Sequence, residues 1–136
     1  ATLLRVKIHR GAWEAEAWGD TCLFHMRSGK LLQMLPNLTP DDFSLAPCML
    51  ASVDGHDEAL TSGLVRGRGD LQCGDLLILA SDALARWFRA APDPDVALME
   101  AASLKDEEAF GIWVAELRSS RGLQDDDTTL LVGRLP

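Results

Sequence analysis

The sequence predicts an α+β protein in which helices pack on antiparallel β-sheets. Two observations carry that expectation. Short segments of strict period-2 alternation, separated by polar turns, fill the first third of the chain and return at its middle and end. Between residues 81 and 119 the apolar spacing changes to that of helices. The order of strands, then helices, then one last strand favours α+β packing over alternating βαβ units.

Residues 2–9 place Leu4, Val6 and Ile8 on one face and Arg5 and Lys7 on the other, and Gly11 follows as a turn. Residues 12–18 set Trp13, Ala15 and Ala17 against Glu14 and Glu16, before Gly19-Asp20 breaks the run. Residues 21–27 set Cys22, Phe24 and Met26 against His25 and Arg27. Ser28-Gly29 reads as a hairpin turn, and residues 31–35 resume the ladder, which completes an antiparallel meander. Residues 36–63 are less regular. Pro36, Pro40 and Pro47 exclude a long helix, Asp41-Asp42 is placed to open a short one, and residues 54–62 are polar and loop-like. Residues 64–72 alternate loosely.

Asp75 then leads into Leu76–Ala80, five apolar residues expected to form a central strand covered on both faces. Residues 81–91 read as a helix capped by Ser81, with Leu84, Trp87 and Phe88 on one side and Pro92 and Pro94 beyond its end. Residues 95–102 form a second helix. Residues 104–119 form a third, whose acidic first turn suits the helix dipole and whose stripe is Leu104, Phe110, Trp113, Val114 and Leu117. Residues 128–135 read as the last strand. The chain contains no repeat, low-complexity tract or linker, so residues 1–136 are expected to form a single domain.

Composition narrows the function. Apolar residues are 47% and charged residues 25% of the chain, which places it among globular proteins. Thirteen basic residues against 21 acidic ones give a net charge of −8. Arg66 and Arg68 are the nearest approach to a basic stripe, so nucleic acid is not an expected partner. No apolar run is long enough for a membrane span, and no signal peptide is visible. Cys22, Cys48 and Cys73 are odd in number and lack C-x-x-C spacing, which leads to reduced thiols and a cytoplasmic location as the expectation. The chain starts at Ala1, directly in a strand-like segment, and upstream residues are expected to be absent.

Three features carry candidate chemistry. Asp82 follows an apolar strand where a helix begins, a place where rigid elements fix a carboxylate for a metal; the bland reading is an acidic residue of a first helical turn. Asp125-Asp126-Asp127 precedes the last strand and offers the oxygen ligands that magnesium and manganese take; an isolated triplet also reads as a solvated acidic turn. Asp82 and the triplet both lie at the ends of apolar strands, so both are placed to converge on one sheet rim. Asp54-Gly55-His56-Asp57-Glu58 has ligand types but no second His or Cys nearby, and reads as a mobile polar loop. Arg68-Gly69-Asp70 spells an adhesion tripeptide by chance. His9, His25 and His56 have no nucleophile motif beside them and read as surface or strand residues. The four tryptophans fall on patterned segments and read as core.

The order of motifs resembles the metal-dependent protein phosphatase 2C family. Trp18-Gly19-Asp20-Thr21-Cys22-Leu23-Phe24 followed by Arg27-Ser28-Gly29-Lys30-Leu31 is similar to its V-G-D-S-R hairpin. Gly74-Asp75-Leu76-Leu77-Ile78-Leu79-Ala80-Ser81-Asp82-Ala83-Leu84 is similar to its G-D-x-L-L-L-x-S-D-G-L stretch, and Asp126-Asp127-Thr128-Thr129-Leu130-Leu131-Val132 to its closing D-N-x-T or D-D-x-T strand. The resemblance covers most of the chain, with residues 37–62 contributing little. It implies a β-sandwich flanked by helices and hydrolysis of phosphoserine and phosphothreonine with two Mn2+ or Mg2+ ions. It implies Asp82 and Asp126 as metal ligands, Asp127 as an assisting residue, and Gly19 and Asp20 as structural. The implied partner is a phosphoprotein substrate, or a protein partner if the chain is a non-catalytic regulatory module.

The departures are specific. The family's early acidic strand, its D-G metal motif and its phosphate-binding Arg lie upstream of the hairpin, where this chain has one strand. Asp54-Gly55-His56 spells the early motif in the wrong order, and Ala83 replaces the usual Gly. The expectation is therefore the C-terminal part of a phosphatase domain, incomplete on its N-terminal side. An uncovered sheet face would then be free for self-association.

Overall fold

The computed structural model describes residues 2–43 and 63–136. Seven strands form two antiparallel sheets among these residues. β1 (Leu3–His9), β2 (Ala12–Trp18) and β5 (Leu64–Asp70) make a three-stranded sheet in the order β1-β2-β5. β3 (Cys22–Arg27), β4 (Lys30–Leu35), β6 (Leu76–Ala80) and β7 (Leu130–Arg134) make a four-stranded sheet in the order β4-β3-β6-β7.

The hairpins follow from their turn residues. Arg10 and Gly11 join β1 to β2 with φ of 49° and 75°, and Ser28 and Gly29 join β3 to β4 with φ of 51° and 75°. Two consecutive left-handed residues match the twist of a two-residue hairpin, which fixes the registers His9↔Ala12 and Arg27↔Lys30.

The sheets face each other through Trp13 and Ala15 of one sheet and Leu23, Leu35 and Leu77 of the other. The far face of the four-stranded sheet carries α1 (Asp82–Ala90), α2 (Pro94–Ala102) and α3 (Glu107–Ser120). That second core holds Phe24, Ile78, Leu84, Phe88, Leu98 and Leu117, all essentially inaccessible. Its aromatic rings meet edge-on, Phe24 to Phe88 at 5.7 Å and Trp87 to Trp113 at 5.7 Å, the favoured geometry for such pairs. Trp13, Trp87 and Trp113 are buried, as expected of core residues.

Several sequence expectations need correction. β3 was expected to have one apolar and one polar face, yet Cys22 to Met26 are all buried. It lies between β4 and β6, with helices on one side and the second sheet on the other, so His25 is interior and 3% exposed. Ile8, expected on one face of β1 with Leu4 and Val6, is 58% exposed: β1 is an edge strand, and of that face only Leu4 and Val6 pack against the core. The third helix starts at Glu107 rather than at 104, because the Asp106 side chain accepts the Ala109 N–H at 2.8 Å and caps it. Asp41-Asp42 opens only a 3-10 turn, Pro40–Asp42. Arg68-Gly69-Asp70 lies within β5, where Gly69 passes directly beneath the Trp13 indole. The segment Asp54–Glu58 lies outside the described residues. No helix among the described residues is long and apolar enough to cross a membrane.

The outer face of the three-stranded sheet is charged. Arg5, Glu16 and Arg66 form one cross-strand row and Lys7, Glu14 and Arg68 the next. Glu16 pairs with Arg66 at 3.0 Å and with Arg5 at 3.6 Å.

Candidate metal site

Register builds the rim. Cys22 pairs with Ala80 across β3 and β6, so the start of β3 and the end of β6 meet at one end of the sheet. Asp20 stands two residues before Cys22, and Asp82 two residues after Ala80. Gly19 turns the chain into this position with φ 87°, a conformation that side-chain-bearing residues rarely adopt.

Asp20 is 5% exposed, and its Oδ2 has no hydrogen-bond partner among the described residues. Burial, and then the charge of Asp82, push its carboxyl above the usual carboxylate range. The Cys22 thiol donates to the Asp20 carbonyl at 3.2 Å, and burial with the charges of Asp20 and Asp82 pushes that thiol up strongly. Asp20, Cys22 and Asp82 therefore share one neighbourhood. A buried carboxylate oxygen without a donor, facing a second carboxylate, is a costly arrangement that a hard cation would relieve.

Ser81 brings the closing segment to the same place. Its hydroxyl donates to the Asp127 carbonyl at 3.2 Å and accepts the Thr129 N–H at 3.0 Å, while its own N–H donates to the Thr129 carbonyl at 3.1 Å. Ser81 occupies the N-cap position of α1 as expected, but its hydroxyl serves the closing strand and makes no bond to the helix. Asp82 accepts the Ala83 N–H at 2.8 Å. Asp126 accepts the Asp127 N–H at 2.7 Å through Oδ1, and Arg118 donates to the Asp126 carbonyl. Asp125, Asp126 and Asp127 are solvent-exposed. The charge of Asp82 thus reaches Asp20, and the Asp127 backbone is tied to Ser81, the residue before Asp82. Among the described residues no three His, Cys, Asp or Glu side chains are gathered closely enough to hold a metal ion. The Ala83 methyl is buried in the helix-side core.

A second polar cluster escaped the sequence reading. Asp75 is 1% exposed and accepts four hydrogen bonds. Arg27 Nε donates to Oδ1 at 2.9 Å and Arg27 Nη2 to Oδ2 at 2.7 Å. His25 Nε2 and the Gln72 N–H also reach Oδ2, each at 2.9 Å. The Trp13 indole N–H lies 3.2 Å from His25 Nδ1. An indole N–H only donates, so Nδ1 accepts and Nε2 carries the proton given to Asp75. His25 is therefore a neutral link between the two sheets. The Arg27 guanidinium holds the Asp75 carboxyl well below the usual range, with His25 assisting. The network is closed and its lone pairs are occupied, so it is structural. The signal for it was the Gly74-Asp75 turn, but its partners lie about fifty residues away in sequence.

No family model matches the sequence, and no curated protein matches it significantly. Solved structures match in fold. The photosystem II phosphatase PBCP superposes with a TM-score of 0.60 at 16% identity, over 99% of this chain and 64% of its own. The Mycobacterium tuberculosis serine/threonine phosphatase PstP/Ppp gives 0.61 at 17% identity, over 98% and 59%. The phosphatase domain of SpoIIE from Bacillus subtilis gives 0.55 at 19% identity, over 99% and 58%. The PstP catalytic domain is also known in complex with 2 manganese ions. The chain therefore has the fold of phosphatase 2C-type serine/threonine phosphatases over nearly all of its length. It spans less than two thirds of the length of these structures.

Proposed function

We propose that residues 1–136 are the C-terminal portion of a metal-dependent serine/threonine phosphatase domain that acts on phosphoproteins. One observation carries the reading: the buried Asp20 carboxylate, whose Oδ2 has no partner among the described residues, within reach of the Asp82 charge at a strand rim, in a chain with the phosphatase fold. Asp82 and Asp20 would hold a Mn2+ or Mg2+ ion, with Asp126 and Asp127 on the adjoining segment as further ligands. Oxygen donors of this kind suit hard cations. Such an ion supplies an activated water and neutralises charge at phosphorus.

The chain's own residues do the positioning. The first turn of α1 fixes Asp82. Ser81 clamps the segment from Asp127 to Thr129 against it through three hydrogen bonds. Gly19 sets the direction of Asp20. Two converging carboxylates bind a divalent ion weakly, so a complete site draws on more ligands than these.

One observation favours a second reading, a non-catalytic phosphatase-like regulatory or protein-binding module: among the described residues no three His, Cys, Asp or Glu side chains gather to hold a metal ion. Titration calorimetry with Mn2+ and Mg2+, together with phosphopeptide hydrolysis by the natural-length protein, separates the two. The phosphatase reading expects metal binding and hydrolysis, with both lost in Asp82→Asn. Unchanged metal binding in that variant would overturn the assignment of the site. A natural-length protein that hydrolyses nothing yet binds a protein partner would establish the module.

A further inference from the structure

A pocket of about 580 Å3 opens between α1 and the chain from Arg121 to Gln124. Its lining includes Ala83, next in sequence to Asp82, and Gln124, next to Asp125, so it adjoins the candidate metal site. One wall is rigid. The Trp87 indole N–H donates to the Arg121 carbonyl at 2.9 Å, and the Arg121 guanidinium lies 5.0 Å over the Trp87 ring. Arg121 is in turn held by Glu100 through contacts of 2.8 and 3.1 Å. Arg86 differs. It lines the same pocket half-buried, and it has no ion pair or hydrogen bond among the described residues. A partly desolvated guanidinium beside a fixed indole, without a carboxylate partner among the described residues, is a receptor for one.

Resting on the phosphatase reading above, we propose that this pocket takes an acidic side chain of the substrate peptide, with Arg86 as its partner. The spacing sets the position. Arg86 follows Asp82 by four residues, one helical turn or about 6 Å along the axis. An extended peptide covers about 3.3 Å per residue, so the acidic residue stands about two positions from the phosphorylated one.

The test is fluorescence anisotropy on the natural-length protein in Mn2+. The probes are labelled phosphothreonine peptides with Glu or Ala two positions to either side, and their unphosphorylated counterparts. A charge-assisted hydrogen bond gives the Glu peptide on one side a preference of about tenfold. Arg86→Gln should reduce that preference to below about twofold, and Arg86→Lys should restore part of it, on the same scale. Equal affinities, a preference that survives Arg86→Gln, or no binding by any peptide would each overturn the proposal. A Glu preference that ignores phosphorylation counts against the phosphatase reading and leaves the pocket standing. Phosphate-dependent binding without a Glu preference does the reverse.

Discussion

Replacing Asp75 with asparagine exchanges one oxygen for an NH2 and removes the negative charge. In the native chain Oδ2 accepts from His25, Arg27 and Gln72 within 2.7–2.9 Å. If the amide keeps its oxygen on Arg27 Nε, its NH2 faces three donors. If it flips, Arg27 Nε loses its acceptor. Neither orientation satisfies the site, and burial excludes water as a substitute. Breaking a buried, hydrogen-bonded charge pair costs about 3–5 kcal/mol, a large share of the 5–15 kcal/mol that holds a typical domain. With a urea slope of about 1–3 kcal/mol per molar, the unfolding midpoint should fall by about 2 M. Acid provides an internal check. Because the folded carboxyl is depressed, its stabilisation is present above the ordinary carboxylate range and disappears as pH falls below it. Wild type should lose stability in that window, while Asp75→Asn should be flatter there. A loss below about 1 kcal/mol at neutral pH, the size of one ordinary hydrogen bond, would refute the account of a closed network.

Other outcomes follow from the same geometry. In Gly69→Ala a new Cβ would lie 2.6 Å from Trp13 Nε1, so the indole must leave His25; overpacking of this kind costs about 1–3 kcal/mol and should alter tryptophan fluorescence. Ser81→Ala removes both hydroxyl bonds to the closing segment, which should destabilise by about 1–2 kcal/mol and speed amide exchange at Thr129. The Asp20 carboxyl is raised, so the folded state holds its proton more tightly and its ionisation opposes folding as pH rises above the ordinary range. Asp20→Asn should therefore flatten the pH dependence of stability there when no metal is present. Millimolar Mn2+ should raise the thermal midpoint of wild type more at pH 7.5 than at pH 5, about the range over which a carboxyl site exchanges proton for metal. It should have no effect in Asp82→Asn.

Much of the fold was legible because alternation and turn chemistry are local. Residues 12–18 and 76–80 match their strands to the residue, and Ser28-Gly29 marks a hairpin. Burial on both faces is not local. The segment 21–27 alternates like a half-exposed strand, and only its place between β4 and β6 puts His25 inside. Helix starts were blurred for a related reason: Leu104 fits the apolar stripe of α3, but the capping carboxylate of Asp106 decides where the helix begins. At the candidate site, Asp82 and the Asp126-Asp127 pair stood out because acidic residues at strand ends are conspicuous. Asp20 was read as structural, and its unpartnered oxygen became visible only when β3 and β6 were paired in register. Asp75 reads in sequence only as the lead-in to β6, because its partners His25 and Arg27 belong to another hairpin.

The inequality of the two cores has a mechanical consequence. Among the described residues, nineteen buried ones fasten the helices to the four-stranded sheet, whereas five join the two sheets. Of those five, the three-stranded sheet supplies only Trp13 and Ala15. Among the described residues its one large, fully buried contribution is the Trp13 indole, latched by the His25 imidazole and seated on a glycine, with Leu4 and Val6 packed at the margin. Opening energies in a folded protein track this kind of uneven burial. Strands β1, β2 and β5 can thus peel away as a unit, exposing their amides, while the helical side stays closed. Asp20 lies on the turn that joins β2 to β3, and Asp82 on α1, so the carboxylate rim sits where the looser sheet meets the firmer body. A cation held between them would act as a second latch, binding the looser sheet to the firmer body.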